Sequence, residues 1–181
     1  MPAQSSDLVL IQRGTTLYKA SAGEIAALAS GGGGGSDPWG YTHLTADAAV
    51  TTTAFQGVSG MSFSAASNTL YEVEAFGAYK TAANTTGIAL ALGIPSGSVV
   101  GLNVVTISAT ALGGVQQIAT DNTTGATTGV ATANTNTPIL CKWLVAIGAT
   151  GGTVHLRARS EVASSAATLV GGLFMLKWRA L

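Results

Sequence analysis

Two histidines, one cysteine and a thin scatter of carboxylates are the residues of this chain best suited to chemistry. A protein metal site needs His, Cys or carboxylate ligands at a short, recognisable spacing. Neither His43 nor His155 has such a neighbour in the sequence, and both read as solvated surface histidines. Cys141 lies in the apolar run Ile139-Leu140-Cys141-Lys142-Trp143-Leu144, which predicts a buried, inert thiol. With one cysteine there is no intrachain disulfide framework. Asp37, Asp47 and Asp121 stand apart, without the carboxylate pairing that glycoside hydrolysis requires. A calcium ion in a loop is the one cation role they leave open. No G-x-S-x-G elbow, Walker loop or G-x-G-x-x-G following a strand occurs. Trp39, Tyr41, Trp143 and Trp178 could stack on sugar rings, although such rings more often fill a core or a subunit interface. The expectation is a chain with no catalytic residue, no metal and no cofactor.

The densest charges sit on two segments that alternate cleanly. Glu72 and Glu74 interleave with Tyr71, Val73 and Ala75. His155, Arg157, Arg159 and Glu161 interleave with Val154, Leu156, Ala158 and Ser160. A period of two is the mark of a strand with one buried face. Opposite charges on paired strands help to fix register, so a cross-strand or inter-subunit ladder between Glu72/Glu74 and Arg157/Arg159 is one expectation. Two separate solvated faces are the other.

These residues belong to a region of uniform β texture. Runs rich in Val, Thr, Ile, Tyr and Phe predict strands near 41–45, 50–55, 61–64, 70–79, 87–94, 99–109, 115–119, 139–147, 154–161 and 168–178. Turn signals fall at Ser67-Asn68, Ala83-Asn84, Pro95-Ser96-Gly97, Gly113-Gly114 and Gly151-Gly152. Residues 121–138, nearly all Thr, Ala, Asn and Gly, read as a long exposed loop. Many short strands at this spacing mean a sandwich or barrel. Tyr71, Val73, Phe63, Trp143, Leu156 and Trp178 are the expected core or interface residues.

Ahead of this domain the texture differs. Leu8 to Arg13 and Thr16 to Ala20 predict a β-hairpin turning at Gly14-Thr15. Ser21 with Glu24 three residues on forms a capping box for a short helix through Ile25 and Leu28. A hairpin and one or two helical turns cannot build a stable core unaided. Five glycines, Gly31 to Gly35, then supply a flexible tract spanning roughly 12–13 Å on average. The organisation expected is an N-terminal docking arm over residues 1–30, a hinge over 31–37, and a β domain over 38–181.

Composition points to assembly. Of 181 residues only 9% are charged, and eight acids balance eight bases. An ordinary soluble domain carries roughly 25% charged residues, and a neutral surface tends to associate. Mean hydropathy is +0.42. Either sister subunits or a larger assembly cover much of the surface, or Thr and Ser hydroxyls alone keep it solvated. A neutral chain lacks the basic footprint that nucleic acid demands, and no Lys/Arg cluster suits an anionic membrane. The most apolar stretch, Ser98 to Val115, is interrupted by Asn103, Thr106, Ser108 and Thr110, so no membrane insertion is expected. Met1 to Asp7 lacks the basic and apolar blocks of a signal peptide.

Two stretches carry a resemblance. Asp7-Leu8-Val9-Leu10-Ile11-Gln12-Arg13-Gly14, followed by Thr16-Leu17-Tyr18-Lys19-Ala20 and Glu24-Ile25, resembles the opening of many tailed-bacteriophage structural proteins of the tail-fibre-like or head-decoration kind. Asp37-Pro38-Trp39 through Leu44-Thr45, Val58 to Phe63, and Asn68 to Glu74 are similar to small phage β domains, as is a closing strand like Phe174 to Leu181. Residues 97–138 have no counterpart. The resemblance implies a virion component, made in the host cytoplasm, trimeric, with a jelly-roll-like antiparallel β-sandwich. It brings no catalytic residues. In that setting Leu8, Leu10, Ile11, Arg13, Leu17, Tyr18, Ile25 and Leu28 are the expected docking residues toward capsid, neck or tail proteins. Glu72, Glu74, Arg157, Arg159 and Trp178 are the expected oligomer-interface or charge-ladder residues. A trimeric fibre or appendage protein, a capsid decoration (cement) protein and a binder of host surface glycan are the functions this leaves, in that order.

Overall fold

A computed structural model describes residues 8–13, 16–21, 38–108, 111–118 and 129–181, with backbone alone over 8–13, 16–21, 102–108 and 111–118. Two compact units separate at the Pro38–Trp39 junction, Met1–Pro38 and Trp39–Leu181. In the first, strands β1 (Leu8–Arg13) and β2 (Thr16–Ser21) pair antiparallel, with Leu10 opposite Lys19 and Ile11 opposite Tyr18. The expected helix, its residues Ile25 and Leu28, and the glycine tract lie outside the described residues.

The second unit is a β-sandwich. Its strands are β3 (Gly40–His43), β4 (Ala48–Val50), β5 (Gln56–Ala65), β6 (Leu70–Thr81), β7 (Ile88–Gly93), β8 (Gly97–Ser108), β9 (Ala111–Ile118), β10 (Thr137–Ile147), β11 (Gly152–Ser160) and β12 (Ala167–Ala180). The larger sheet runs β3-β12-β6-β10-β8-β9, with β4 also on β12, and the smaller runs β5-β11-β7. All these pairings are antiparallel.

The order follows a simple nesting. The first strands, β3 and β4, pair with the last, β12; β5 pairs with β11; β6 pairs with β10. A long hairpin has been rolled so that successive strand pairs fall in alternate sheets. That is the jelly-roll arrangement, here with the β8-β9 hairpin extending the larger sheet beyond β10.

Alternation of side chains explains why the sheets face each other. Along β10, Ile139, Cys141, Trp143, Val145 and Ile147 are buried while the residues between them are exposed. Val73, Ala75 and Tyr79 of β6, Leu169, Phe174 and Leu176 of β12, and Met61, Phe63, Val154 and Leu156 of the smaller sheet complete one core. On β7 the pattern Ile-Ala-Leu-Ala-Leu-Gly buries every residue. Its small residues stand opposite long ones on β11: Ala89 opposite Arg159, Ala91 opposite Arg157, Gly93 opposite His155. A methyl group at Gly93 would collide with the His155 ring, so the half-buried histidine lies across Gly93 and is less open than a freely solvated side chain.

Two expectations are corrected. The strand foreseen over 50–55 ends at Val50. Thr52 turns its hydroxyl onto the Ala54 carbonyl at 3.0 Å, a local bond that competes with sheet pairing. The Thr51 and Thr52 carbonyls instead accept from Ser164 and Ser160, and Arg157 Nη2 donates to the Phe55 carbonyl at 2.9 Å. The turn foreseen at Gly113-Gly114 lies inside β9, where the pairing with β8 shifts register. A glycine pair marks a bulge as readily as a turn.

Candidate functional surface

The outward face of the larger sheet carries most of the charge described in this domain. Its position follows from parity: Tyr71, Val73 and Ala75 point into the core, so Glu72 and Glu74 point out. On β12, Leu176 is buried and Trp178 packs against the core, so Lys177 and Arg179 point out; on β10, Lys142 points out between buried Cys141 and Trp143. Register then brings these positions level. Glu74 lies opposite Lys177 on one side and Lys142 on the other, and Glu72 lies opposite Arg179 and Leu144.

The result is a closed ion cluster. The Lys142 amine pairs with Glu72 and reaches Glu74 at 3.0 Å. Lys177 reaches Glu74 at 2.8 Å. Arg179 donates to Glu72 through Nε at 2.8 Å and Nη2 at 2.5 Å. Hydrogen bonds from Lys142 and then Arg179 hold the Glu72 carboxyl below its usual range. Burial pushes Glu74 up, but its bonds to Lys177 and Lys142 outweigh that and leave it lowered. The same two carboxylates, Glu72 first, raise the Lys142 amine. Trp39 closes the edge, with Lys177 Nζ 4.2 Å and the Arg179 guanidinium 4.6 Å from its ring centroid.

The ladder expected between Glu72/Glu74 and Arg157/Arg159 does not form within the chain. Arg157 and Arg159 are on β11 in the other sheet, where Arg157 bonds the Phe55 carbonyl and Arg159 lies 5.3 Å over the Phe55 ring. The acids found Lys142, Lys177 and Arg179 instead. Trp178, expected at an interface, stacks on Phe63 inside its own sandwich at 4.6 Å and 7°. A sugar platform of four aromatics is not assembled either. Trp143 and Trp178 face inward, Trp39 lies under two cations, and Tyr41 alone of the four presents an open ring. Of the docking residues, Leu8, Leu10, Ile11, Arg13, Leu17 and Tyr18 fall on the β1-β2 hairpin.

Lys142, Lys177, Arg179 and Trp39 went unnoticed in sequence as one cluster. Each basic residue does sit at an outward position of an alternating strand, a readable signal, but alternation does not say which strands are neighbours.

The remaining polar sites offer binding geometry and little chemistry. A depression of about 310 Å³ lies between residues 43–48 and Ser59-Gly60. Its Asp47 carboxylate already accepts from Lys80 Nζ at 2.8 Å and the Gly171 N–H at 2.9 Å, and the Lys80 bond lowers its pKa. Burial pushes the Cys141 thiol far up, which suppresses the nucleophilic thiolate. Among the described residues no group of three His, Cys, Asp or Glu is placed to hold a metal ion, and no helix is long and apolar enough to cross a membrane.

No protein-family model matches the chain, and no curated protein does. Solved structures with some likeness are of infectious bursal disease virus. The Gx strain aligns at 12% identity and a TM-score of 0.21, over 100% of this chain and 41% of that one. The Gt strain aligns at 11% and 0.24, over 97% and 43%. The VP2 subviral particle aligns at 10% and 0.19, over 99% and 44%. This chain thus spans less than half the length of each. Likenesses of this size decide nothing about function.

Proposed function

We propose that this protein is a non-enzymatic structural subunit of a virus particle, a trimer held to the particle by its N-terminal arm. The observation that carries the reading is the division at Pro38–Trp39. The regular structure described in the first unit is one two-stranded hairpin, and such a hairpin is marginal alone in water. It gains stability by packing on a partner. The second unit is a jelly roll in which Glu72, Glu74, Lys142, Lys177 and Arg179 pair with one another and Lys80 pairs with Asp47. Composition supports the same reading, since a 9% charged chain has little to keep copies apart. The phage-like Gln12-Arg13-Gly14 and Tyr18-Lys19 hairpin motif supplies the setting: a tailed-phage fibre or appendage, with capsid decoration the alternative.

The test is incorporation. Particles assembled with the intact chain are compared with particles assembled with a chain lacking residues 1–30. The reading expects the shortened chain to fold and stay off the particle. Incorporation at the normal level would overturn it. Copy number on intact particles separates the alternatives, a few trimers for an appendage and hundreds of copies for a decoration protein.

A further inference from the structure

The outward face of the larger sheet is apolar around its ion cluster. Nine large apolar side chains are exposed among the described residues, and six of them, Tyr41, Leu70, Phe76, Val100, Leu140 and Leu144, lie on this face. Their exposure runs from 37% at Phe76 to 66% at Tyr41. Register arranges them in rows. Phe76 is level with Leu140, and Leu144 is level with Val100 and Glu72. The charged row Lys177–Glu74–Lys142 runs between those two rows. A shallow depression of about 280 Å³, floored by Gly101 and Trp143 and walled by Val100, Lys142 and Leu144, opens on the apolar side. Large exposed apolar side chains gathered on one face mark an interaction site.

The charges select the occupant. Each carboxylate already has two cations, and three bases on two acids leave one unit of positive charge over the whole face. A strongly charged partner finds no counter-charge there. A neutral, sparsely charged partner covers the face without stranding an unpaired ion, and this chain is itself such a partner. Close to a rotation axis a residue meets its own copies, whatever the order of the axis. Each copy brings only one net positive charge, spread over a cluster whose ions are already paired, so the repulsion between copies is small beside what the apolar rows on either side can bury.

We propose that copies of this chain meet through this face about a rotation axis, with Phe76, Leu140, Leu144 and Val100 nearest the axis. The inference rests on the assembly reading above and names its contact surface.

Cysteine cross-linking of the intact chain in dilute solution tests it. Leu140→Cys and Leu144→Cys are made singly, with Val162→Cys, 41% exposed in the β11-β12 connection, as control. The native thiol at Cys141 is buried and does not compete. Oxidation is expected to link Leu140→Cys or Leu144→Cys into covalent dimers and to leave Val162→Cys unlinked. No dimer at either face position, or equal yield at Val162→Cys, overturns the proposal. A second variant, Leu140→Glu with Leu144→Glu, is expected to lower the mass in light scattering to that of one chain with the far-ultraviolet spectrum unchanged. The nearly isosteric cysteines keep the test decisive if that variant unfolds. Oligomers that persist without cross-links remove this face and leave the assembly reading standing; a monomeric native chain removes both.

Discussion

Lys142 is the residue on which the surface chemistry turns. Among the described residues its amine alone pairs with both Glu72 and Glu74. Removing it leaves two like charges two residues apart on one strand, each with a single remaining cation. Exposed ion pairs are individually weak, so Lys142→Met should lower the urea midpoint modestly, and high salt should shrink the difference by screening the repulsion. Chemical denaturation at two ionic strengths checks this.

The same cluster sets a pH dependence. Glu72 and Glu74 titrate lower in the folded chain than their ordinary value of 4.5. Their ionised forms therefore favour folding above that pH, and the contribution is lost as pH falls through the lowered values. Thermal melts across the acid range should show stability dropping below about pH 4.5. Glu72→Gln combined with Glu74→Gln should flatten that limb, and an unchanged limb would mean that other groups set it.

At the scale of elements, strands were far easier to read than their partners. Alternation located β6 and β11 closely, because one face of each meets the core, and runs of strand-forming residues located β10 and β12. β7 was also legible from its apolar run, although it is buried throughout. Pairing was not legible. Glu72 could have met a cation on any flanking strand, and only the nesting of β6 between β12 and β10 chose Lys177, Arg179 and Lys142 over Arg157 and Arg159. Where Thr or Gly offered the backbone an alternative, at 51–55 and 113–114, local sequence misled for the reasons given by their own hydrogen bonds and bulges.

Two changes test the packing. Leu156→Ala, at a fully buried position on β11, should cost about 2–5 kcal/mol in equilibrium unfolding. Gly97 opens β8 with φ +104°, and a methyl group there would strike the Ala146 carbonyl of β10. Gly97→Ala should therefore destabilise by more than the few tenths of a kcal/mol of an ordinary surface change, measured the same way.

At the scale of the molecule, the jelly roll accounts for its own interior and leaves one broad face unfinished. Its core is continuous across both sheets. Its largest exposed apolar groups gather on one side, around ions that are already satisfied. On the proposed reading, neighbouring subunits cover that face.

The molar mass of the intact chain, followed by light scattering as the protein is diluted, tests that claim most directly. A defined multiple of the chain mass, held into dilute solution, is the result expected. A stable, soluble single chain at every concentration would contradict it.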